Sequence, residues 1–129
     1  MSDSFIPDDL AQFILERIDS VAQLEALLLL RNEPHEKWSA AALAKRLYIT
    51  DKETAALLER LCADGFLVAT SSQPPLYHYQ PGSQELGKMI DRAAEIYSKH
   101  LVPVTNLIHS KPKTRVQEFA DAFRLRKDK

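Results

Sequence analysis

Residues 39–81 read SAAALAKRLYITDKETAALLERLCADGFLVATSSQPPLYHYQP, and the predicted structure of the whole chain starts from this stretch. Ser39 is typical of a helix N-cap, because its side-chain oxygen can accept a hydrogen bond from a free amide of the first turn. After it the apolar residues Ala42, Leu43 and Leu47 recur at the spacing of one helical face. The stretch therefore opens with an amphipathic helix whose polar side carries lysine and arginine.

A second helix is predicted after a tight turn formed by Tyr48 and Ile49. Thr50 and Glu53 fit the capping box, in which each side chain bonds an amide at the helix start, so this helix is expected to begin near Asp51. It is expected to end at Asp64 and Gly65, because glycine readily adopts the left-handed conformation that closes many helices. Its predicted inner face consists of Ala55, Leu58, Leu61 and Cys62.

Two short strands are predicted to complete the stretch. Phe66 to Thr70 is rich in strand-forming residues, and Leu76 to Tyr79 alternates in the manner of a second strand. Between them, Ser71 to Pro75 form a loop with two prolines and no charged side chain. The predicted order is therefore helix, turn, helix and a β-hairpin with an extended loop.

This order is similar to that of winged-helix transcription regulators, which have a helix-turn-helix followed by a β wing. The resemblance rests on the run LAKRLYITDKETAALLERLCADGFLVA and covers Ser39 to Tyr79, about a third of the chain. The matching residues are Leu43, Ala44, Leu47, Ile49, Thr50, Leu58, Leu61, Gly65, Phe66 and Leu67. It implies a winged-helix fold and a regulatory role, with contacts to DNA through the second helix and the wing.

The remaining sequence adds helices on both sides of this unit. Asp8 to Arg17 and Ala22 to Arg31 have helical apolar patterns, and the second of them is apolar on nearly every side. We therefore predict a mainly α fold with a small two-stranded β wing, that is, a winged helix-turn-helix with N-terminal helices and a long C-terminal helical extension. The expected domains are the winged helix at residues 1–82, including the N-terminal helices, and the extension at residues 83–129.

The extension carries a long apolar stripe with alternating spacings of three and four residues. Its members are Leu86, Ile90, Ala93, Tyr97, Leu101, Val104 and Ile108. A stripe of this length favours a homodimer, with Phe119 and Phe123 of a short terminal helix as further contacts; packing back onto the first two helices is the alternative. Thr114 and Gln117 form the capping pair that predicts the terminal helix. Pro103 is expected to kink or divide the long helix.

The sequence contains no catalytic or metal-binding pattern. It has three glycines and none of the glycine-rich loops that cradle phosphates or build oxyanion holes. The four histidines lack the spacing of metal ligands, and a single cysteine, Cys62, excludes an intramolecular disulfide or a cysteine-rich zinc site. Cys62 is predicted to be a small buried apolar residue, with redox sensing as the alternative. We therefore expect a protein that is not an enzyme and has no cofactor.

The second helix and the wing, which would contact DNA in this fold, do not decide between DNA and protein as the partner. Phosphate contacts dominate DNA affinity, so basic or amide side chains are expected on the second helix and in the wing. Here acidic and basic residues alternate on that helix, and the net charge of the chain is -1. The candidate DNA contacts are Lys45, Arg46, Lys52, Glu53, Ala56, Arg60, Ser71, Ser72 and Gln73. Two functions stay open: a transcription regulator that binds double-stranded DNA, and a winged-helix module that binds another protein without binding DNA.

No stretch predicts export or membrane insertion. The first residues lack a basic region followed by an apolar run and a cleavage site, and the apolar run from Leu27 to Leu30 is too short to span a bilayer. The content of 45% apolar and 27% charged residues is ordinary for a globular protein. We expect a cytoplasmic protein without a membrane partner.

Overall fold

The computed structural model describes residues 6–110, which form six helices and one two-stranded antiparallel sheet. The elements in chain order are α1 (Asp8–Arg17), α2 (Val21–Asn32), α3 (Ala40–Leu47), α4 (Asp51–Ala63), β1 (Leu67–Ala69), β2 (Tyr77–Tyr79), α5 (Gln84–Lys99) and α6 (Leu101–His109). The predicted fold class, mainly α with a small two-stranded β wing, is confirmed. The predicted terminal helix with Phe119 and Phe123, and its capping pair Thr114 and Gln117, lie outside the described residues.

Side-chain caps fix where the helices begin. Thr50 Oγ1 accepts a hydrogen bond of 3.0 Å from the Glu53 amide, and Glu53 Oε1 accepts one of 3.2 Å from the Thr50 amide, so the predicted capping box is complete. Ser39 caps α3 as predicted, through a 3.1 Å bond from the amide of Ala42. These caps satisfy amides that have no partner within their own helix.

The start of α2 is a variation on the same motif. Ser20 Oγ accepts from the Gln23 amide at 3.1 Å, but Gln23 Oε1 accepts from the Asp19 amide at 2.6 Å, one residue before the N-cap. The Gln23 side chain is buried, and its oxygen bonds the Asp19 amide in place of the Ser20 amide that a capping box would use. Both bonds still fix the entry of the chain into α2.

The wing is a short antiparallel hairpin with one additional bridge. Leu67 lies opposite Tyr79, and Ala69 lies opposite Tyr77. Trp38, just before α3, exchanges two backbone hydrogen bonds of 2.8 Å with Tyr77. The bridge ties the entrance of the helix-turn-helix to β2, which therefore lies between Trp38 and β1, so the wing and α3 are held together through the backbone.

Helix α2 lies at the centre of the core. Leu24, Leu27 and Leu30 are fully buried, and α2 contacts α3, α4 and β2. Helices α5 and α6 pack against α1. One hydrophobic cluster extends from Ile6 to Ile108, across the predicted division at residue 82, and the division into two domains stays a prediction.

The predicted apolar stripe of the extension lies mostly inside the chain. Its buried members are Ile90, Ala93, Tyr97, Val104 and Ile108. Leu86 is half-buried, and Leu101 is 52% exposed. Packing back onto the first helices, the alternative considered for the stripe, therefore accounts for five of its seven residues, because α1 fills the space beside α5 and α6.

The long helix is divided, as predicted, close to Pro103. The break is at His100, and Pro103 occupies the first turn of α6, where a missing amide removes no helical hydrogen bond. Side chains then hold α5 in place: Tyr97 donates a 2.5 Å hydrogen bond to Glu25 of α2, and Arg92 pairs with Asp9 of α1 at 2.8 Å. Burial and the bond to Glu25 raise the pKa of Tyr97 to about 12.

Two kinds of feature are absent from residues 6–110. None of the helices there is long and apolar enough to cross a membrane. Nor does this part of the chain bring three or more His, Cys, Asp or Glu side chains together in a way that would hold a metal ion.

Candidate nucleic-acid interface

The turn between α3 and α4 projects a tyrosine into solvent. Tyr48 has φ 60° and ψ 41°, a left-handed conformation that costs a residue with a Cβ atom about 1 to 2 kcal/mol. Its amide closes α3 by donating to the carbonyl of Ala44, while its side chain is 93% exposed. Among residues 6–110 it is the most exposed large hydrophobic side chain.

The first turn of α4 and the last turn of α3 supply cations to the same corner of the molecule. Lys45 and Lys52 are exposed, and neither forms an ion pair with another of the described residues. Glu53 is exposed too, but its carboxylate is engaged by Thr50 in the capping box. The corner therefore presents two ammonium groups that remain available for phosphate groups.

Arg46 is arranged differently from its neighbour Lys45. The centre of its guanidinium group lies 5.4 Å from the centroid of the Trp38 ring, within the range of a cation–π contact. Arg46 is exposed and Trp38 is half-buried, so the contact holds the charge beside the bridge between Trp38 and Tyr77. The predicted contact residue Arg46 thus lies near the wing and is oriented by an aromatic ring.

The end of α4 is tied into the protein by charged groups. Arg60 lies 3.2 Å from Asp64 and 3.6 Å from Asp19, so one guanidinium joins the end of α4 to the start of α2. Arg17 of α1 donates a 2.7 Å hydrogen bond to the Asp64 carbonyl and lies 5.2 Å from the centroid of the Phe66 ring. Since its charge is already paired, Arg60 is less available to a phosphate than Lys52.

A shallow groove of about 370 Å³ runs between α4 and the start of α2. Three of the predicted contact residues, Glu53, Ala56 and Arg60, line it together with Ile49 and Leu57. The structure therefore brings these three residues to one strip of α4, whereas Lys45 and Arg46 lie on α3 and the wing residues lie in a separate loop.

The loop of the wing is uncharged and held by its own hydrogen bonds. Thr70 Oγ1 accepts from the Leu76 amide at 2.9 Å and lies 2.6 Å from Ser72 Oγ, and the Ser72 hydroxyl donates to the Pro74 carbonyl at 3.0 Å. All three predicted contact residues of the loop, Ser71, Ser72 and Gln73, are exposed. The Ser72 hydroxyl, however, already forms hydrogen bonds within the loop. Ser71 and Gln73 are the loop side chains left to meet a partner.

Two titratable side chains, Cys62 of α4 and Tyr77 of β2, have raised pKa values. Burial and, to a lesser extent, the nearby Glu59 carboxylate raise the pKa of the half-buried Cys62 thiol. The pKa of Tyr77 is raised by burial and by the neighbouring Cys62 and Glu59. A raised pKa makes the thiol less reactive, which favours the packing interpretation of Cys62 over redox sensing.

Sequence reasoning selected the charged and polar residues of this surface but treated Tyr48 only as part of the turn. The sequence did contain a signal for Tyr48, because glycine or asparagine is expected at a turn between two capped helices and a tyrosine there is unusual. The pairing of Arg60 with Asp19 had no comparable signal, since these residues are far apart in the sequence.

Comparison with known proteins places this fold. No family model matches the chain, and no curated protein matches it. Several solved structures do, and the three described below have sequence identities of 14 to 22%. The DNA-binding domain of a possible ArsR-family transcriptional regulator from Mycobacterium bovis, a homodimeric winged helix-turn-helix, has a TM-score of 0.52 and 17% identity over 72% of this chain and 82% of its own.

Two MarR structures give the same result. A mutant MarR from E. coli has a TM-score of 0.52 and 14% identity, over 92% of this chain and 83% of its own. The multiple antibiotic-resistance repressor MarR from Listeria monocytogenes has a TM-score of 0.52 and 22% identity, over 92% of this chain and 77% of its own. The architecture of this chain is therefore the winged helix-turn-helix found in transcription regulators.

Proposed function

We propose that the protein is a non-enzymatic transcription regulator that binds double-stranded DNA through α4, its preceding turn and the wing. The likeness to regulators with the same fold supports this role, and the Mycobacterium bovis domain is itself described as DNA-binding. A cytoplasmic location is part of the proposal, because a regulator has to share a compartment with its DNA and the similar structures described above come from bacteria, whose DNA lies in the cytoplasm.

The observation that carries the proposal is the corner formed by the end of α3 and the start of α4. Lys45 and Lys52 are exposed there without an ion pair among the described residues, and the adjacent helix start is rigidly capped by Thr50 and Glu53. Phosphate recognition needs available cations on a rigid support, and this corner has both.

The proposed roles of the other contact residues follow from their surroundings. Ala56 has a small side chain that lets a DNA groove approach α4 closely, while Ser71 and Gln73 offer uncharged hydrogen-bonding groups in the wing. Arg60 would have to release Asp19 and Asp64 before it could bind a phosphate, so we assign it a smaller contribution than Lys52.

A salt titration with random duplex DNA tests this function. The logarithm of the binding constant should fall linearly with the logarithm of the salt concentration, and Lys45→Ala and Lys52→Ala should each reduce the slope by about 0.9, as expected for one phosphate contact. Lys88→Ala removes an exposed lysine of α5 and is the matched control, for which the slope should stay unchanged. Absence of binding at low salt would contradict the proposal.

A second function, docking of another protein without DNA, is supported by the charges of α4. Asp51, Glu53 and Glu59 are exposed on this helix, whereas its exposed cations are Lys52 and the already paired Arg60. If duplex DNA does not bind at low salt, we expect this surface to bind a basic protein segment instead. Glu59→Lys should then abolish capture of a partner that the unmodified protein retains.

We further propose that the regulator is a homodimer. Leu101 and Val102 at the start of α6 are 52% and 62% exposed, and adjacent exposed apolar residues are typical of an association surface. The proposed contact thus includes Leu101, with the half-buried Leu86, rather than the five buried members of the stripe. Dimeric assembly is described for the Mycobacterium bovis domain.

Sedimentation tests the dimer. Leu101→Glu should give a folded monomer, because the change places a charge in the proposed contact, whereas Val68→Glu alters an exposed valine of β1 and should leave the dimer intact. A monomer of the unmodified protein, even at high concentration, would contradict the proposal.

A further inference from the structure

Tyr48 combines two properties that the stability of the fold does not explain. Its backbone has φ 60°, a region that favours glycine, and its side chain is 93% exposed. The backbone part of the residue does contribute to the fold, because the Tyr48 amide bonds the carbonyl of Ala44. Glycine could make that same hydrogen bond without the conformational strain, so the phenol ring has no structural role that justifies its presence.

The neighbours of Tyr48 indicate the kind of partner that its ring would meet. Lys45 precedes it by three residues and Lys52 follows it by four, and both are exposed cations without an ion pair among the described residues. With the exposed Arg46, these cations outnumber the exposed carboxylates Asp51 and Glu53 of the same stretch, and the Glu53 carboxylate is bonded to Thr50. This charge balance favours an anionic partner over an apolar pocket of another protein. Tyrosine hydroxyl groups are regular donors to DNA phosphate oxygens, and the ring can pack against a sugar.

We propose that Tyr48 is a DNA-backbone contact, in which its hydroxyl donates a hydrogen bond to a phosphate oxygen and its ring packs against the adjacent deoxyribose. This inference rests on the proposed DNA binding and adds to it a residue that fixes the position of the turn on the duplex. Lys45 and Lys52 flank Tyr48 in the sequence, so we expect the three residues to contact neighbouring phosphates. The contact is independent of base sequence.

The test measures binding of the full chain to random duplex DNA for the unmodified protein and for Tyr48→Phe, Tyr48→Asn and Tyr48→Gly. Phenylalanine keeps the ring and removes the hydroxyl, so affinity should fall about threefold; asparagine and glycine remove the ring as well, and affinity should fall about tenfold. Asparagine and glycine both accept the left-handed backbone conformation, which keeps the turn intact. Circular dichroism of the variants should match that of the unmodified protein.

The salt dependence separates this contact from a lysine contact. Tyrosine is neutral, so the Tyr48 variants should bind more weakly at every salt concentration with an unchanged slope, whereas Lys45→Ala should lower the slope by about 0.9. Agreement between the asparagine and glycine variants excludes added flexibility of the turn as the cause.

Three outcomes overturn the inference, and they differ from one another. If the unmodified protein binds DNA and all three variants bind equally well, Tyr48 is not a contact, and the proposed function is untouched. If only Tyr48→Phe binds as well as the unmodified protein, the hydroxyl bond to phosphate is wrong. If the unmodified protein does not bind duplex DNA at all, the proposed function fails and this contact fails with it.

Discussion

Both helices of the helix-turn-helix are followed within two residues by a residue with left-handed backbone geometry, but these two residues differ. Helix α4 ends next to Gly65 with φ 86°, and α3 ends at Tyr48 with φ 60°. Gly65 is half-buried and its carbonyl accepts a 2.9 Å hydrogen bond from the Gly82 amide. Tyr48 is almost completely exposed to solvent.

This difference in residue type and exposure indicates that Gly65 serves the stability of the fold, whereas Tyr48 serves contact with a partner. At Gly65 the chain has the residue that the geometry favours, and the turn that follows leads directly into the buried Phe66. At Tyr48 the chain keeps a residue that the same geometry disfavours, on the surface proposed to face DNA. Conformational strain retained at an exposed position is a feature of functional surfaces.

The largest expected effect is at Gly65. Gly65→Ala should lower the free energy of unfolding by about 1 to 2 kcal/mol, because alanine in the left-handed region carries the Cβ penalty. Space is not the cause, since a Cβ atom there would lie 3.9 Å from Leu86 Cδ2, an ordinary contact distance. Urea unfolding at constant slope would measure the change.

The matched control for Gly65 is a glycine inside a helix. Gly87 lies in α5, where an added Cβ atom would contact Pro81 at 3.7 Å, so Gly87→Ala should raise the free energy of unfolding by about 0.5 to 1 kcal/mol. The two substitutions are chemically identical and should have opposite signs. Equal effects would remove backbone geometry as the explanation for Gly65.

The second prediction concerns stability at Tyr48. Tyr48→Gly should raise the free energy of unfolding by about 0.5 to 1 kcal/mol, because the strain is removed and the exposed ring loses almost no packing. Tyr48→Ala is the control, because it removes the ring but keeps the Cβ penalty. Its free energy of unfolding should stay within about 0.3 kcal/mol of that of the unmodified protein. Destabilisation by both changes would show that the ring packs on the fold.

The parts of the fold that the sequence predicted correctly depend on local signals. The capping box of Thr50 and Glu53, the cap at Ser39 and the left-handed Gly65 each involve residues within a few positions of one another. Their physics is that of backbone amides at helix ends, so it can be recognised without a tertiary structure. The winged helix followed from the order of these signals.

What the sequence left open depends on which elements meet. The stripe from Leu86 to Ile108 has the same pattern whether it faces a second chain or α1, and only the position of α1 decides between them. The bridge between Trp38 and Tyr77 joins two backbones far apart in sequence, and neither residue has a local signal for it. Long-range contacts of this kind are specified by packing of the whole core.

The candidate site divides in the same way. Lys45 and Lys52 could be selected from the sequence because an exposed position on a helix follows from the helical pattern alone. The availability of Arg60 could not be predicted in this way, because its partner Asp19 belongs to a different part of the chain. Arg60 therefore needs an experiment that separates its place in the fold from its place in binding.

The smallest expected effect is that of Arg60→Ala. This substitution tests whether ion pairs stabilise the end of α4 in the way that side-chain caps stabilise its start. Arg60 is exposed, and pairs of this kind contribute little, so the free energy of unfolding should fall by about 0.5 kcal/mol, less at high salt. DNA affinity should fall less than it does in Lys52→Ala, because the guanidinium is already paired with Asp19 and Asp64.

The combination of Arg60→Ala with Asp19→Asn measures the coupling between the two side chains directly. Once Asp19 is neutral, Arg60→Ala should lower the free energy of unfolding by a smaller amount. A loss of DNA affinity as large as that of Lys52→Ala would mean that Arg60 leaves both carboxylates on binding, and the contrast between the two ends of α4 would be wrong.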